Sequence, residues 1–221
     1  MLSDPDSRVI REYGILNTHI PPEDSFFYGI PFPGTFLLDE AGVVTDKLFR
    51  PHLSTRDTGE AMVDRILGRS VPSTSDPATT FTEDDGIQIT AFFRGGRGRL
   101  RIGPLNRLIV RFKMPAGLHI YGDPAPDGMT ALSIEVEGPD GIKCETQGRP
   151  ATKALAVPGI ESPLQIWDGE VDFEILVFGN TKLAPRFEEP GEAAVEISVL
   201  VRYQSCDDAQ CFLSKIRRLT L

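Results

Sequence analysis

Cysteine is scarce in this chain, which has three cysteines in 221 residues and none before Cys144. Three thiols cannot build the disulfide framework of a small secreted domain. Without a cysteine, the residues before Cys144 also cannot form the thiolate that attacks a peroxide or a disulfide. Any thiol chemistry of this chain is therefore confined to its C-terminal part.

Basic residues are also fewer than acidic residues, and the chain has no long apolar run. The chain has 23 Lys and Arg against 32 Asp and Glu, which gives a formal net charge of -9. This charge would repel nucleic acid and anionic lipid, so we expect neither as a partner. No apolar run approaches the ~20 residues that span a bilayer. The opening "MLSDPDSRVI" lacks the basic and apolar regions of a secretory signal. We therefore expect no membrane contact and, for the chain as written, a cytoplasmic location.

Residues 1–69 predict a small α/β unit. "SDPDSRVIREYGIL" and "RDTGEAMVDRILGR" both have apolar residues at helical spacing. Between them, "TFLLDEAGVVTDKLF" predicts a β-hairpin, because two apolar runs flank a turn-forming segment. Residues 70–85 are rich in Ser, Thr, Pro and acidic side chains, a composition that predicts a linker.

Residues 86–221 alternate apolar and polar side chains, as in "GIQITAFF", "RLIVRFKM", "VDFEILVF" and "AAVEISVLVRYQ". Seven or so such strands, separated by Gly, Pro, Asp and Asn, predict an antiparallel immunoglobulin-like β-sandwich. The fold class predicted for the whole chain is mainly β, with a small α/β part at the N-terminus.

The N-terminal unit resembles a known fold. "SDPDSRVIREYGILN" followed by "YGIPFPGTFLLDEAGVV" is similar to the second half of a redoxin domain, the thioredoxin fold of AhpC/TSA peroxiredoxins. The resemblance implies an incomplete thioredoxin-like fold over residues 1–69, with Pro33 at the position of the family's cis-proline. A plain rigid loop proline is the alternative at Pro33.

The redoxin resemblance has two further implications. The family's active cysteine would lie upstream of the residues present, so we expect Met1 to be an internal or misassigned start of a longer protein. An extracytoplasmic location for that parent protein is left open. A two-stranded hairpin alone exposes a sheet edge, and we therefore expect a homodimer through the incomplete N-terminal domain.

The other two cysteines, Cys206 and Cys211, lie in "RYQSCDDAQCFLSK". A fully extended segment would separate their Cα atoms by roughly 16 Å, whereas a disulfide needs about 4.4 to 6.8 Å. A turn at residues 207–210 would reverse the chain and place the cysteines opposite each other at the mouth of a hairpin. Strand alternation from Val195 to Tyr203 then predicts that both sulfurs lie on the polar, reachable face. The alternative is a bulge near the turn, which would reverse this assignment.

A redox couple, a structural disulfide and a metal site are all open for this pair. Asp207 would disfavour a Cys206 thiolate through like-charge repulsion, whereas Lys215 on the neighbouring strand would favour it. Zinc prefers four ligands, and the remaining candidates are too scattered to complete a set: His19, His52, His119 and Cys144. His119, in "GLHIYGD", is more simply a structural histidine, with proton transfer beside the cysteines as the alternative.

The C-terminal tail carries a second resemblance. The pattern Tyr-Gln-x-Cys-Asp-x-x-x-Cys, with "GLHIYGDPAPDG" and "PLQIWDGEVDFEI", resembles disulfide bond corrector domains and the N-terminal domain of the thiol:disulfide interchange protein DsbD. The resemblance implies that Cys206 and Cys211 are a redox pair and that Tyr203 is the tyrosine preceding it. It also places Ile166 and Trp167 in a cap loop that shields the pair, although a lone tryptophan is often a core residue.

These observations predict a thiol-disulfide exchange protein whose partner is a thioredoxin-fold protein or the missing redoxin half. Its Cys-x4-Cys pair would pass reducing equivalents without a metal or an organic cofactor, and we expect no peroxidase activity from this chain alone. The alternative is a non-catalytic binding or dimerisation module of a peroxiredoxin-like antioxidant protein whose active cysteine lies upstream.

Overall fold

The computed structural model describes residues 4–24, 26–49, 56–57, 59–67, 78–94, 100, 104–146, 149–157, 162–180, 182–183 and 195–221. Two compact units are present, Met1–Thr58 and Gly59–Leu221. No helix within the described ranges is long and apolar enough to cross a membrane.

The first unit contains a short helix and a β-hairpin. Its elements are α1 (Arg8–Glu12), β1 (Gly34–Leu38), β2 (Val44–Phe49) and β3 (Arg56–Asp57). The Asp4 carboxylate accepts hydrogen bonds from backbone N–H groups at the start of α1. Strands β1 and β2 pair antiparallel, and the Asp39 carboxylate closes their turn by accepting from the N–H groups of Ala41 and Val43. The predicted hairpin is therefore confirmed, while the thioredoxin-like fold stays a prediction.

The second unit begins with one helix and continues with strands. The helix is α2 (Gly59–Ile66). The strands are β4 (Ala78–Thr82), β5 (Gln88–Phe93), β6 (Pro104–Lys113), β7 (His119–Tyr121), β8 (Ser133–Glu137), β9 (Ile142–Thr146), β10 (Lys153–Leu155), β11 (Leu164–Asp168), β12 (Glu170–Gly179), β13 (Ser198–Tyr203), β14 (Ser205–Cys206) and β15 (Lys215–Thr220). The prediction of a mainly β chain is confirmed.

Three antiparallel sheets enclose one core in this unit. The first has the order β4-β5-β6-β12-β9, the second β15-β13-β8 and the third β10-β11-β7-β14. Alternating side chains of the first two sheets, including Phe112, Val177 and Val201, are fully buried. Ile120 and Trp167 of the third sheet belong to the same core cluster. This arrangement agrees with the predicted antiparallel sandwich.

The predicted linker at residues 70–85 needs correction. Residues 70–77 lie outside the described residues, but Ala78–Thr82 form β4, which pairs antiparallel with β5. The Thr79 hydroxyl also donates to the carbonyl of Thr220 at 2.7 Å. Three of the five residues in β4 are threonine, a β-branched residue that favours strands. The second part of the predicted linker therefore belongs to the sandwich.

Sequence alternation did not predict that the short strands β10, β11, β7 and β14 form a separate third sheet. Its strands have two to five residues each, too few to show a clear period of two. The chain leaves this sheet at Gly169, which has a φ of 65°, and returns to it after Tyr203. Positive φ is easily adopted by glycine, so the backbone can turn sharply from β11 into β12.

Candidate functional site

The outer face of the third sheet gathers the candidate site residues. Cys206 of β14 lies directly opposite His119 of β7, and His119 lies opposite Asp168 of β11. Tyr121, two residues after His119, is opposite Ile166 in the same register. Directly opposed residues, and residues two apart on one strand, share a face of a sheet. Cys206, His119, Asp168, Tyr121 and Ile166 therefore share one face.

The two cysteines form a disulfide across the mouth of a hairpin. Cys206 and Cys211 are bonded through their sulfurs, with Cα atoms 4.1 Å apart, and form an antiparallel bridge. The Asp207 carboxylate fixes the turn by accepting hydrogen bonds from the N–H groups of Ala209 and Gln210, both at 2.7 Å. The predicted chain reversal is confirmed, and Asp207 is engaged in building the turn.

The two sulfur-bearing residues differ sharply in exposure. Cys206 is 1% exposed, whereas Cys211 is exposed to solvent. The prediction that both sulfurs face a reachable side was therefore wrong for Cys206. Strand alternation holds as far as Tyr203 but fails beyond it, because the chain passes from one sheet to another at Gln204. Cys206 consequently packs in a small cluster with Tyr121 and Ile166.

A cavity of ≈ 520 Å³ opens beside the disulfide. Both cysteines, His119 and the turn residues of the hairpin contribute to its wall. The remaining wall is largely apolar and includes Tyr121, Pro126, Met129, Leu155, Val157 and Leu164. The cavity offers room for apolar side chains of a second molecule next to the exposed sulfur.

Tyr121 contacts the exposed end of the disulfide. Its hydroxyl lies 3.4 Å from the Cys211 sulfur, and the tyrosine must donate because a disulfide sulfur has no proton. Burial raises the pKa of Tyr121 above its usual value, so this hydroxyl keeps its proton at neutral pH. Tyr121 was not predicted as a site residue from the sequence. The two-residue spacing of His119 and Tyr121 in "GLHIYGD" was the signal that both face the cysteines.

His119 lies almost entirely inside the site, with 7% of its surface exposed. Its ring packs edge-on against that of Tyr121, with centroids 5.6 Å apart. Burial lowers the pKa of His119, partly opposed by the negative charges of Asp208, Asp168 and Asp207. The imidazole is consequently neutral at neutral pH, in which form it can accept a proton.

Tyr203 lies on the inner side of the hairpin. It is fully buried, its ring packs on Phe112 with centroids 5.4 Å apart, and its hydroxyl donates to the Glu83 carboxylate at 2.9 Å. Burial, with the adjacent Glu83 carboxylate, raises the pKa of Tyr203 far above its usual value. The structure therefore places Tyr203 in the core beneath the site, away from the exposed sulfur.

A charged cluster surrounds the Tyr203 hydroxyl. Glu83 contacts Arg217 at 2.6 Å and Lys215 at 3.4 Å, and Lys215 also contacts Asp85 at 2.9 Å. The ammonium group of Lys215 is thus engaged with two carboxylates on the inner side. The predicted stabilisation of a Cys206 thiolate by Lys215 does not fit this placement.

The predicted cap residues Ile166 and Trp167 lie on strand β11, not in a loop. Trp167 is 3% exposed, packs edge-on against Phe173 with centroids 4.9 Å apart, and donates from its indole N–H to the carbonyl of Pro150. It is a core residue, which was the alternative interpretation. Ile166 instead lies on the outer face of the sheet and packs beside Cys206 and Tyr121, so it is part of the apolar surroundings of the disulfide.

Two other sequence candidates lie outside this site. Pro33 is buried directly before β1. Within the described residues the cis peptide bond is Asp123–Pro124, and the peptide before Pro33 is trans. The cis-proline prediction was therefore wrong, since the start of a strand accommodates an ordinary trans proline. Cys144 on β9 is an exposed free cysteine.

Comparisons with known proteins found distant structural likenesses, including the two that follow. No family model and no curated protein matches the chain. The N-terminal periplasmic domain of ScsB from Proteus mirabilis shares 18% identity at a TM-score of 0.45, over 66% of this chain and 51% of that one. The reduced N-terminal domain of Neisseria meningitidis DsbD shares 12% identity at a TM-score of 0.29, over 70% of this chain and 90% of that one.

The chain thus spans about half the length of the ScsB domain. At these TM-scores neither likeness decides the family or the function of the chain. Its function is proposed from the geometry of its own residues.

Proposed function

We propose that the chain is a thiol-disulfide exchange protein whose reactive group is the Cys206–Cys211 pair. One observation carries the proposal: an exposed cysteine, beside an open cavity, is bonded to a buried one. A purely structural disulfide gains nothing from an adjacent cavity. An exchanging pair needs one sulfur that a partner can reach and a second that is protected until the first has reacted.

The unequal exposure supports the following order of the exchange steps. A partner thiolate attacks the Cys211 sulfur, a new disulfide joins the partner to Cys211, and the electron pair of the broken bond passes to Cys206. A second partner thiolate then attacks the mixed disulfide and releases Cys211, so the partner is oxidised and the pair reduced. The Tyr121 hydroxyl, 3.4 Å from the Cys211 sulfur, is placed to donate a hydrogen bond to the thiolate that leaves.

The proposed partner is a thioredoxin-fold protein. The apolar wall of the cavity, with Met129, Leu155 and Leu164, would receive the apolar surface around the partner's cysteine. Asp207 and Asp208 lie at the cavity and would favour a partner with basic groups at the rim of its own site.

The test is a matched pair of single-cysteine variants, both carrying Cys144→Ser. Cys206→Ser leaves the exposed Cys211, and Cys211→Ser leaves the buried Cys206. We expect oxidised thioredoxin to form a mixed disulfide with the Cys206→Ser variant at least about tenfold faster, because a buried thiol ionises less readily and is harder to reach. Equal trapping rates, or no trapping by either variant, would contradict the proposal.

A second candidate function, dimerisation, is supported by the first unit. Its hairpin leaves apolar side chains exposed, including Leu38 at 57% and Val43 at 60%, and a two-stranded sheet with an open edge invites pairing with a second copy. Sedimentation velocity of the whole chain tests this candidate. A concentration-dependent dimer that Val43→Lys abolishes would support it, and a monomer at every concentration would rule it out.

A further inference from the structure

Three side chains form a row across the outer face of the third sheet. Asp168, His119 and Cys206 occupy directly opposed positions on β11, β7 and β14. Directly opposed residues in antiparallel strands have Cβ atoms roughly 4.5–5.5 Å apart, which is within reach of contact between their side chains. His119 therefore stands between a carboxylate and the buried cysteine of the pair.

Cys206 is almost completely shielded from bulk water. It is 1% exposed, and a thiol in such surroundings resists ionisation because burial disfavours the charged form. To close the disulfide, however, Cys206 must lose its proton before it attacks Cys211. The step thus needs a proton acceptor inside the protein, next to the sulfur.

His119 has the surroundings that this role requires. Charged and titratable groups face it from the strands on either side and from the hairpin: Asp168 with its ion-pair partner Lys153, Tyr121, the two cysteines, Asp207 and Asp208. The net effect of burial and these charges is a pKa below the usual histidine value. The imidazole is also part of the cavity wall, so a proton that it accepts can leave toward the partner.

We infer that His119 is the proton acceptor for Cys206 in the step that closes the disulfide, with Asp168 as its positioning residue. This inference rests on the proposed function. The Cys211 thiolate first attacks a substrate disulfide, expels one thiolate and forms a mixed disulfide. The Cys206 thiol then passes its proton to the His119 imidazole and attacks the Cys211 sulfur. The Cys206–Cys211 bond forms, and the second substrate thiolate leaves with the electron pair and takes up a proton.

The experiment follows release of the chromophore from dithiobis(nitrobenzoate), a chromogenic aromatic disulfide, by the reduced full chain carrying Cys144→Ser. The first phase reports attack by Cys211 and the second reports closure by Cys206. We expect His119→Gln to leave the first phase unchanged and to slow the second by about 100-fold, within the range for general base catalysis. His19→Gln is the matched control, because His19 lies in the other unit.

The pH dependence separates proton transfer from packing. In the unsubstituted chain the second-phase rate should rise with pH as His119 loses its proton and then reach a plateau. The midpoint of this rise should lie below the usual histidine pKa of about 6.5. With His119→Gln the plateau disappears and the rate climbs with pH as Cys206 ionises unaided. A His119→Ala variant, whose cavity is enlarged, should regain second-phase rate when free imidazole is added.

The outcomes distinguish this inference from the proposed function. If the unsubstituted chain shows no second phase, exchange by the pair is refuted. If the second phase is present but His119→Gln leaves its rate and its pH plateau unchanged, only the role of His119 is refuted. A loss of both phases in His119→Gln, without imidazole rescue in His119→Ala, would also overturn the role of His119, since it would identify a structural histidine.

Discussion

Replacing Tyr203 by phenylalanine separates structural support from chemistry beneath the disulfide. The substitution removes the hydroxyl that donates to Glu83 at 2.9 Å and keeps the ring that packs on Phe112. Because the hydroxyl and the carboxylate are both buried, neither can turn to water for a replacement partner. Stability should fall, while the exposed Cys211 should be unaffected.

The size of the loss follows from what Glu83 retains. A hydrogen bond to a charged group contributes about 1.5–3 kcal/mol to stability. Glu83 keeps its ion pairs with Arg217 and Lys215, so we expect the lower end of this range, about 1.5 kcal/mol. With an m-value of about 2 kcal/mol/M, the urea midpoint should fall by about 0.7 M.

The assay is urea unfolding together with the exchange rate toward reduced thioredoxin. Tyr121→Phe is the matched control, because its hydroxyl contacts the Cys211 sulfur, at 3.4 Å, and not a buried carboxylate. We expect Tyr121→Phe to change stability by less than about 0.5 kcal/mol and to slow exchange, the reverse of Tyr203→Phe. An unchanged urea midpoint with slowed exchange in Tyr203→Phe would refute the assignment of Tyr203 to structural support.

Three further predictions concern the sandwich. Burial opposes ionisation of Asp85, but hydrogen bonds, first from Lys215, outweigh it and lower its pKa. The ionised Asp85 carboxylate therefore stabilises the fold above about pH 4, and this stabilisation is lost as the pH falls through the lowered pKa. Acid titration should consequently destabilise Asp85→Asn less than the unsubstituted chain. Trp167→Ala should lower the free energy of unfolding by about 3–5 kcal/mol, measured by urea unfolding. Trp167→Phe should leave exchange rates unchanged, whereas replacing a residue that caps the disulfide would alter them. By circular dichroism, a fragment of residues 78–221 should unfold cooperatively, and one of residues 86–221, which lacks β4, should not; equal behaviour would restore the linker prediction.

The hairpin at the site could be predicted from the sequence because its geometry is local. The spacing of Cys206 and Cys211 requires a reversal, and Asp207 is a residue that stabilises turns through its own carboxylate. The exposure of each sulfur could not be predicted, because it depends on the change of sheet at Gln204. A change of sheet leaves no periodic signal in two residues of strand.

The inner charged cluster was missed for a different reason. Glu83 and Asp85 lie in a segment whose Ser, Thr, Pro and acidic composition is typical of linkers. Their partners Tyr203, Lys215 and Arg217 are 120 or more residues away along the chain. Composition cannot distinguish solvated acidic residues from acidic residues that pair with distant side chains in a core.

Exchange between the intact chain and thioredoxin is the most direct test of the central claim. The oxidised chain is mixed with reduced thioredoxin, quenched with acid, alkylated and analysed by mass spectrometry. We predict that Cys206 and Cys211 become alkylated together, that the reaction reverses with oxidised thioredoxin, and that Cys144, an exposed free cysteine, is alkylated throughout. A Cys206–Cys211 disulfide that stays intact in excess reduced thioredoxin, while a chemical dithiol reduces it, would contradict the claim.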